Sequence, residues 1–190
     1  MLGDAYPYEL PHVTNPDCAD GLEHWDVAPA ADGAISAITD TGWPWWGVKQ
    51  GRYSHGMMGH AFLVMTRNAA LPNTVSQQLQ SLQPGRLYSL RFITADYDDY
   101  LANEKRENQQ VIGIALDGAE VEPGGWSHPF LCRYGRLWMT YHALQFRAQG
   151  PTATLSLSDW AKPENPVGPV GQRIMLNFVQ VQPVLEPDTG

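Results

Sequence analysis

The sequence predicts an all-β jelly-roll sandwich of two antiparallel sheets, and three observations carry that expectation. Apolar residues recur with period two, turn-forming residues cut the chain at intervals of roughly 8–15 residues, and no segment carries an amphipathic helical stripe. Hydrophobic residues make up 43% of the 190, while charged residues are 17% against a usual ~25%. The difference is made up by uncharged polar residues, 18 glycines and 15 prolines, a composition suited to many short strands and connections. A sandwich of this length commonly forms one unit, so a single domain is expected over residues 1–190, its ordered core spanning about 12–184.

In chain order the candidate strands are residues 13–18, 22–28, 33–39, 61–66, 73–80, 87–94, 111–116, 138–147, 152–158 and 173–184. Within 87–94, Tyr88, Leu90 and Phe92 share one face while Ser89 and Arg91 point away. Residues 111–116 stop at the turn Asp117-Gly118. Ala153, Leu155 and Leu157 alternate inward, and the last strand carries Ile174, Leu176, Phe178, Val179 and Val181. Residues 98–108 offer Leu101 followed by Glu104, Lys105, Arg106 and Glu107, and without an apolar stripe they read as a loop or a single turn. Ser127-His128-Pro129-Phe130 reads as loop ahead of the strand that follows Tyr134-Gly135-Arg136-Leu137.

Net charge is −8, from 20 acidic and 12 basic residues, and such a surface repels a phosphate backbone. Lys105-Arg106 is flanked by Glu104 and Glu107 and forms no basic patch, so nucleic acid is excluded as a partner. No apolar run approaches the ~20 residues of a membrane helix, so no membrane insertion is expected. Residues 1–10 carry Asp4 and Glu9, with neither the basic nor the apolar region of a signal peptide. An extracellular or periplasmic location is nonetheless expected, the chain being the mature part or a domain of something secreted. Cys18 and Cys132 permit one disulfide or none, and their apolar neighbours Ala19 and Leu131 favour buried free thiols.

Asn15-Pro16-Asp17-Cys18-Ala19-Asp20-Gly21-Leu22-Glu23-His24-Trp25 resembles the opening of galactose-binding-domain-like jelly rolls. Many carbohydrate-binding modules appended to bacterial glycoside hydrolases belong to that group. The turn Leu82-Gln83-Pro84-Gly85-Arg86-Leu87-Tyr88 and the closing strand around Asn177-Phe178-Val179 carry the same resemblance. It covers the first strand, one central hairpin and the last strand. It implies a polysaccharide or glycan ligand and, as a covalent partner, a catalytic domain. The group often holds a structural calcium between its first and last strands. Here Cys18 stands where Phe is usual, Ala19 where an acidic residue often helps bind the ion, and Asn177 where Asp is frequent. No cofactor is therefore required, and a calcium held by Asp17, Asp20 and backbone carbonyls would be a weak one.

Two long connections break the strand pattern, and loops of more than about 12–15 residues in a compact domain are usually functional or disordered. Residues 40–60 contain Trp43, Trp45 and Trp46, with Tyr53 following. Sugar rings present C–H faces that stack on aromatic planes, and a rigid Trp offers large amphipathic area at low entropic cost. A tryptophan that plugs one end of the sandwich is the structural alternative for each of them. The second connection opens with Asp96, Tyr97, Asp98, Asp99 and Tyr100, either a rim accepting hydrogen bonds from sugar hydroxyls, a calcium loop or a solvated turn. Trp126 is a further aromatic candidate. The expected carbohydrate-binding set is thus Trp43, Trp45, Trp46, Tyr53, Asp96, Tyr97, Asp98, Tyr100 and Trp126, with no catalytic residue assigned.

The alternative is a glycosidase or lyase on the same fold. Asp96, Asp98, Glu104 and Glu107 are its pool of paired carboxylates, and His142 beside Tyr141 would be its base if it lined a concave face. His55 and His60 leave a metal site open, although no HExxH or His-x-His occurs. A cell-surface protein-interaction domain is the further alternative, and it requires a flat apolar patch.

Overall fold

Two antiparallel sheets stack with the predicted apolar faces turned toward each other. The structure is a computed structural model and describes residues 11–39, 61–102, 104, 106–107, 109–131 and 138–185. Its elements are β1 (Asp26–Ala28), β2 (Ile35–Ile38), β3 (Phe62–Thr66), β4 (Thr74–Leu79), β5 (Leu87–Asp96), α1 (Tyr97–Ala102), β6 (Gly113–Asp117), β7 (Ala119–Val121), β8 (Trp126–Leu131), β9 (Trp138–Ala148), β10 (Ala153–Ser158) and β11 (Arg173–Pro183). The smaller sheet runs β1-β4-β10-β6, and the seven-stranded one runs β2-β3-β11-β5-β9-β7 with β8 also on β9. The chain changes sheet at each step from β3 to β6 and again from β9 to β11, and β11 returns beside β3. That winding is a jelly roll.

Alternation decides which side chains fill the space between the sheets. Tyr88, Leu90, Phe92 and Phe146 from the large sheet meet Val75, Leu79, Leu155 and Leu157 from the small one, all essentially inaccessible to water. Each such side chain contributes roughly 1.5–3 kcal/mol by leaving water. Ala153, Leu155 and Leu157 point inward as expected.

The large sheet carries a second apolar layer on its outer face. Phe62, Val64, Ile93, Ala95, Met139 and Met175 form it, and Tyr97 and Tyr100 of α1 pack on it. Both tyrosine rings meet Phe62 edge-on, at 6.3 Å and 5.6 Å between centroids. Asp96 caps the helix: its Oδ1 accepts from the backbone N–H of Asp98 and Asp99 at 2.9 Å and 3.1 Å. Where the sequence predicts a loop or single turn, a six-residue helix forms, stabilised by this cap and by tertiary packing rather than by an apolar stripe.

Other differences have local causes. Residues 13–18 form turns instead of a strand, with Asn15 and Cys18 at positive φ. Asn15 organises them: its Nδ2 donates to the carbonyls of Gly21 and Glu23, its Oδ1 accepts from the N–H of Asp20, and its carbonyl accepts from Trp25 Nε1. Residues 127–130, expected as loop, lie in β8, where Pro129 is tolerated because, among the described residues, the strand pairs on one side only. A bulge in β11 between Asn177 and Gln180 puts Phe178 in the left-handed region and turns its side chain into the outer layer. The N–H of Val179, released from the ladder there, donates to the carbonyl of Pro16 at 3.0 Å and ties the N-terminal turns to the last strand. Cys18 is a buried free thiol whose pKa burial, with the charge of Asp17, pushes up to about 12; Cys132 lies outside the described residues. No helix among the described residues is long and apolar enough to cross a membrane.

Candidate functional site

Register fixes which side chains share the outer face of the large sheet. Trp126 of β8 lies opposite Ala143 of β9, Ala143 opposite Arg91 of β5, and Arg91 opposite Gln180 of β11. The neighbouring row is Gln145, Ser89 and Gln182. Directly paired residues of antiparallel strands point to the same face. One half of this face is therefore the apolar layer under α1, and the other half is polar with one tryptophan. Tyr141 joins the halves, packing against the apolar layer and stacking on Trp126 at 5.6 Å between centroids.

A recess of about 230 Å³ opens in the polar half. Its origin is backbone geometry. β7 and β8 pair end to end along one side of β9; four residues, 122–125, face two of β9 there, so the chain bows between Glu122, whose N–H donates to the carbonyl of Gln145 at 2.9 Å, and Gly125. Gly124, with φ at +99°, turns the bow where an L side chain would be strained. Gly125 lies so close to β9 that a Cβ there would come 3.2 Å from that of Leu144. The small side chain of Ala143 leaves the floor low. Pro123 and Gly124 form the rim, Trp126 a wall, and Ser89, Arg91 and Gln145 the polar lining. Trp126 is 53% exposed, unusual for so large an apolar group. Arg91 is exposed, and its Nε donates to Ser89 Oγ at 3.0 Å, which orients the guanidinium.

Trp126 is thus brought together with residues that sequence reasoning did not select. Asp96, Tyr97, Asp98 and Tyr100 lie elsewhere, at and in α1. Asp96 is occupied as the cap and by Gln172 Nε2, which donates to its Oδ2 at 2.9 Å. Asp98 accepts from Arg173, whose guanidinium also lies 4.6 Å from the centroid of the Tyr97 ring. Asp99 is buried, and desolvation, with Asp96 adding repulsion, raises its pKa while Arg106 at 3.1 Å opposes the rise. Trp43, Trp45, Trp46, Tyr53, His55 and His60 lie outside the described residues. Among the described residues, no group of three or more His, Cys, Asp or Glu side chains is arranged to hold a metal. The signal for the missed residues was present: Ser89, Arg91 and Gln145 interrupt strongly apolar strands at every second position, on the face away from the core.

His142 does not line an open face. It points between the sheets, stacked on Phe92 at 4.5 Å, with Nε2 bonded to Thr94 Oγ1 at 2.7 Å and Nδ1 to Ser127 Oγ at 2.8 Å. Burial lowers its pKa to about 4. Tyr141, the next residue along the strand, projects to the opposite face. The pair cannot address one substrate together.

Winding, two-sheet core and recess define a jelly-roll β-sandwich. No protein-family model matches the sequence, and no curated protein matches it. Among solved structures, the enzymatically active domain of bacteriophage CBA120 tailspike protein 4 is similar over 95% of this chain and 22% of that one, at 14% identity and a TM-score of 0.52. TmCBM61 in complex with beta-1,4-galactotriose is similar over 92% of this chain and 99% of that one, at 13% identity and a TM-score of 0.45. The chain spans less than a quarter of the tailspike domain's length. At 14% identity the likeness to the tailspike domain is one of fold alone.

Proposed function

We propose that this chain is a non-catalytic carbohydrate-binding module that holds a glycan in the recess beside Trp126. The observation that carries the reading is a half-exposed indole, stacked on Tyr141, beside the exposed polar side chains of Arg91 and Gln145. A sugar stacks its C–H face on such a plane, while its hydroxyls require planar donors and acceptors of the kind Arg91 and Gln145 supply. The recess is open and shallow, fitting one or two sugar rings. The non-catalytic half of the proposal is supported by the placement of His142 inside the core and of Asp96 and Asp98 in structural bonds. A location outside the cytoplasm, where polysaccharide is met, follows from the proposal.

Isothermal titration against a panel of plant and bacterial oligosaccharides tests it. Trp126→Ala is expected to weaken binding by about 1–3 kcal/mol, as for removal of a stacked aromatic anchor. The same titration on Trp43→Ala, Trp45→Ala and Trp46→Ala tests the loop expected from sequence. Affinity undiminished in Trp126→Ala would remove the recess as the site. Reducing-end release during the same incubations would overturn the non-catalytic reading.

A further inference from the structure

Resting on that reading, we infer that the recess selects an acidic saccharide, with Arg91 receiving its anionic group. The lining of the recess contains one charged side chain, and it is this arginine. Among the described residues no carboxylate is paired with it, although the chain carries 20 acidic against 12 basic residues. The acid beside the rim, Glu122, is engaged by Arg147 at 3.4 Å. Arg106 and Arg173, by contrast, each face a carboxylate. Nothing in the fold requires a cation at position 91: the side chain is exposed, and its register partners Ala143 and Gln180 are uncharged.

Its geometry suits an anion. The bond from Nε to Ser89 Oγ holds the guanidinium plane, and among the described residues neither terminal nitrogen makes a hydrogen bond. Two parallel N–H donors match the two oxygens of a carboxylate, the bidentate pairing in which Arg surpasses Lys. The negative surface of the whole molecule does not prevent this. Its field decays within about 8 Å at physiological ionic strength, whereas a contact ion pair acts at closer range. A uronic acid then stacks its ring on Trp126 and directs its carboxylate across Ala143 to Arg91. A sulfate ester presents the same charge.

The test is titration with uronate oligosaccharides of several linkages, each against its carboxyl-reduced neutral counterpart, with a sulfated oligosaccharide alongside. At least one acidic ligand is expected to bind tenfold or more tightly than its neutral partner, and raised salt should narrow the gap. Arg91→Gln should erase the preference while leaving Tm unchanged, with affinity for the neutral partner falling by less than affinity for the acidic one, and Arg91→Lys should restore it in part. Whether the uronate or the sulfated ligand gains identifies the anion. Equal affinity for charged and neutral partners, or a preference that survives Arg91→Gln, overturns the inference and leaves glycan binding standing. Failure of every saccharide, acidic or neutral, removes the underlying reading as well.

Discussion

His142 meets a hydroxyl at each ring nitrogen, inside a sandwich that leaves it 2% exposed. One nitrogen donates and the other accepts, so the neutral ring satisfies the site and protonation would bury a charge. The consequence is a pH dependence of stability. The folded pKa, about 4, lies below the ordinary imidazole value of 6.5, so the unfolded chain binds the proton more readily. Stability from the neutral ring is fully present above about pH 6.5 and is lost as pH falls toward 4, to a limit of about 3 kcal/mol. Asp99 and Asp159 have raised pKa values, mainly from burial, and act with opposite sign, favouring the fold as they become protonated in acid. A difference measurement separates these effects. The Tm advantage of the wild type over His142→Gln is expected to shrink by several degrees between pH 7 and pH 4. An advantage constant over that range would show that His142 titrates as in water.

Between β7 and β8, four residues face two of β9, and the short bow that takes up the excess makes the recess. The bow requires Gly124 for its left-handed turn and Gly125 for its close approach to Leu144. The floor requires a small residue at 143. Ala143→Leu is therefore expected to fill the recess and reduce saccharide affinity at least tenfold, while Tm moves by no more than a few degrees because the side chain faces outward. Titration and a thermal melt on the same sample check both halves. Retained affinity would place the ligand elsewhere. The helix illustrates how packing overrides propensity: residues 97–102 have little amphipathic pattern, yet the Asp96 cap and the layer around Phe62 hold them helical.

On the scale of the whole molecule, the N-terminal turns are fastened to the last strand by the hydrogen bond from the N–H of Val179 to the carbonyl of Pro16. Within those turns the carbonyls of Gly21 and Glu23 accept from Asn15 Nδ2. Asn177, the other position at issue, bonds the carbonyl of Ala61 and the N–H of Phe178. Calcium is accordingly expected to add little stability. A tight native-state ligand would raise Tm in proportion to RT ln(1 + [L]/Kd). Melts in excess chelator and in millimolar calcium should agree within about 3 °C; a shift on the order of 10 °C would make the ion integral to the fold.

The sequence by itself determined the strand-rich sandwich, because burying one face of a strand writes a period of two into it, legible at Tyr88, Leu90 and Phe92 or at Ala153, Leu155 and Leu157. It also showed Ser89 and Arg91 turned from the core, and it marked Trp126. What it could not show is that Trp126, Arg91 and Gln145 meet, since they sit on three strands whose register comes from long-range pairing. Nor did it disclose that Asp96 would serve as a helix cap, or that His142 would be sealed between the sheets while Tyr141 faces out. Those outcomes were decided by tertiary structure. A side chain's chemistry is local, but its neighbours are chosen by which strands pair and by how much of each face the packing leaves open to water.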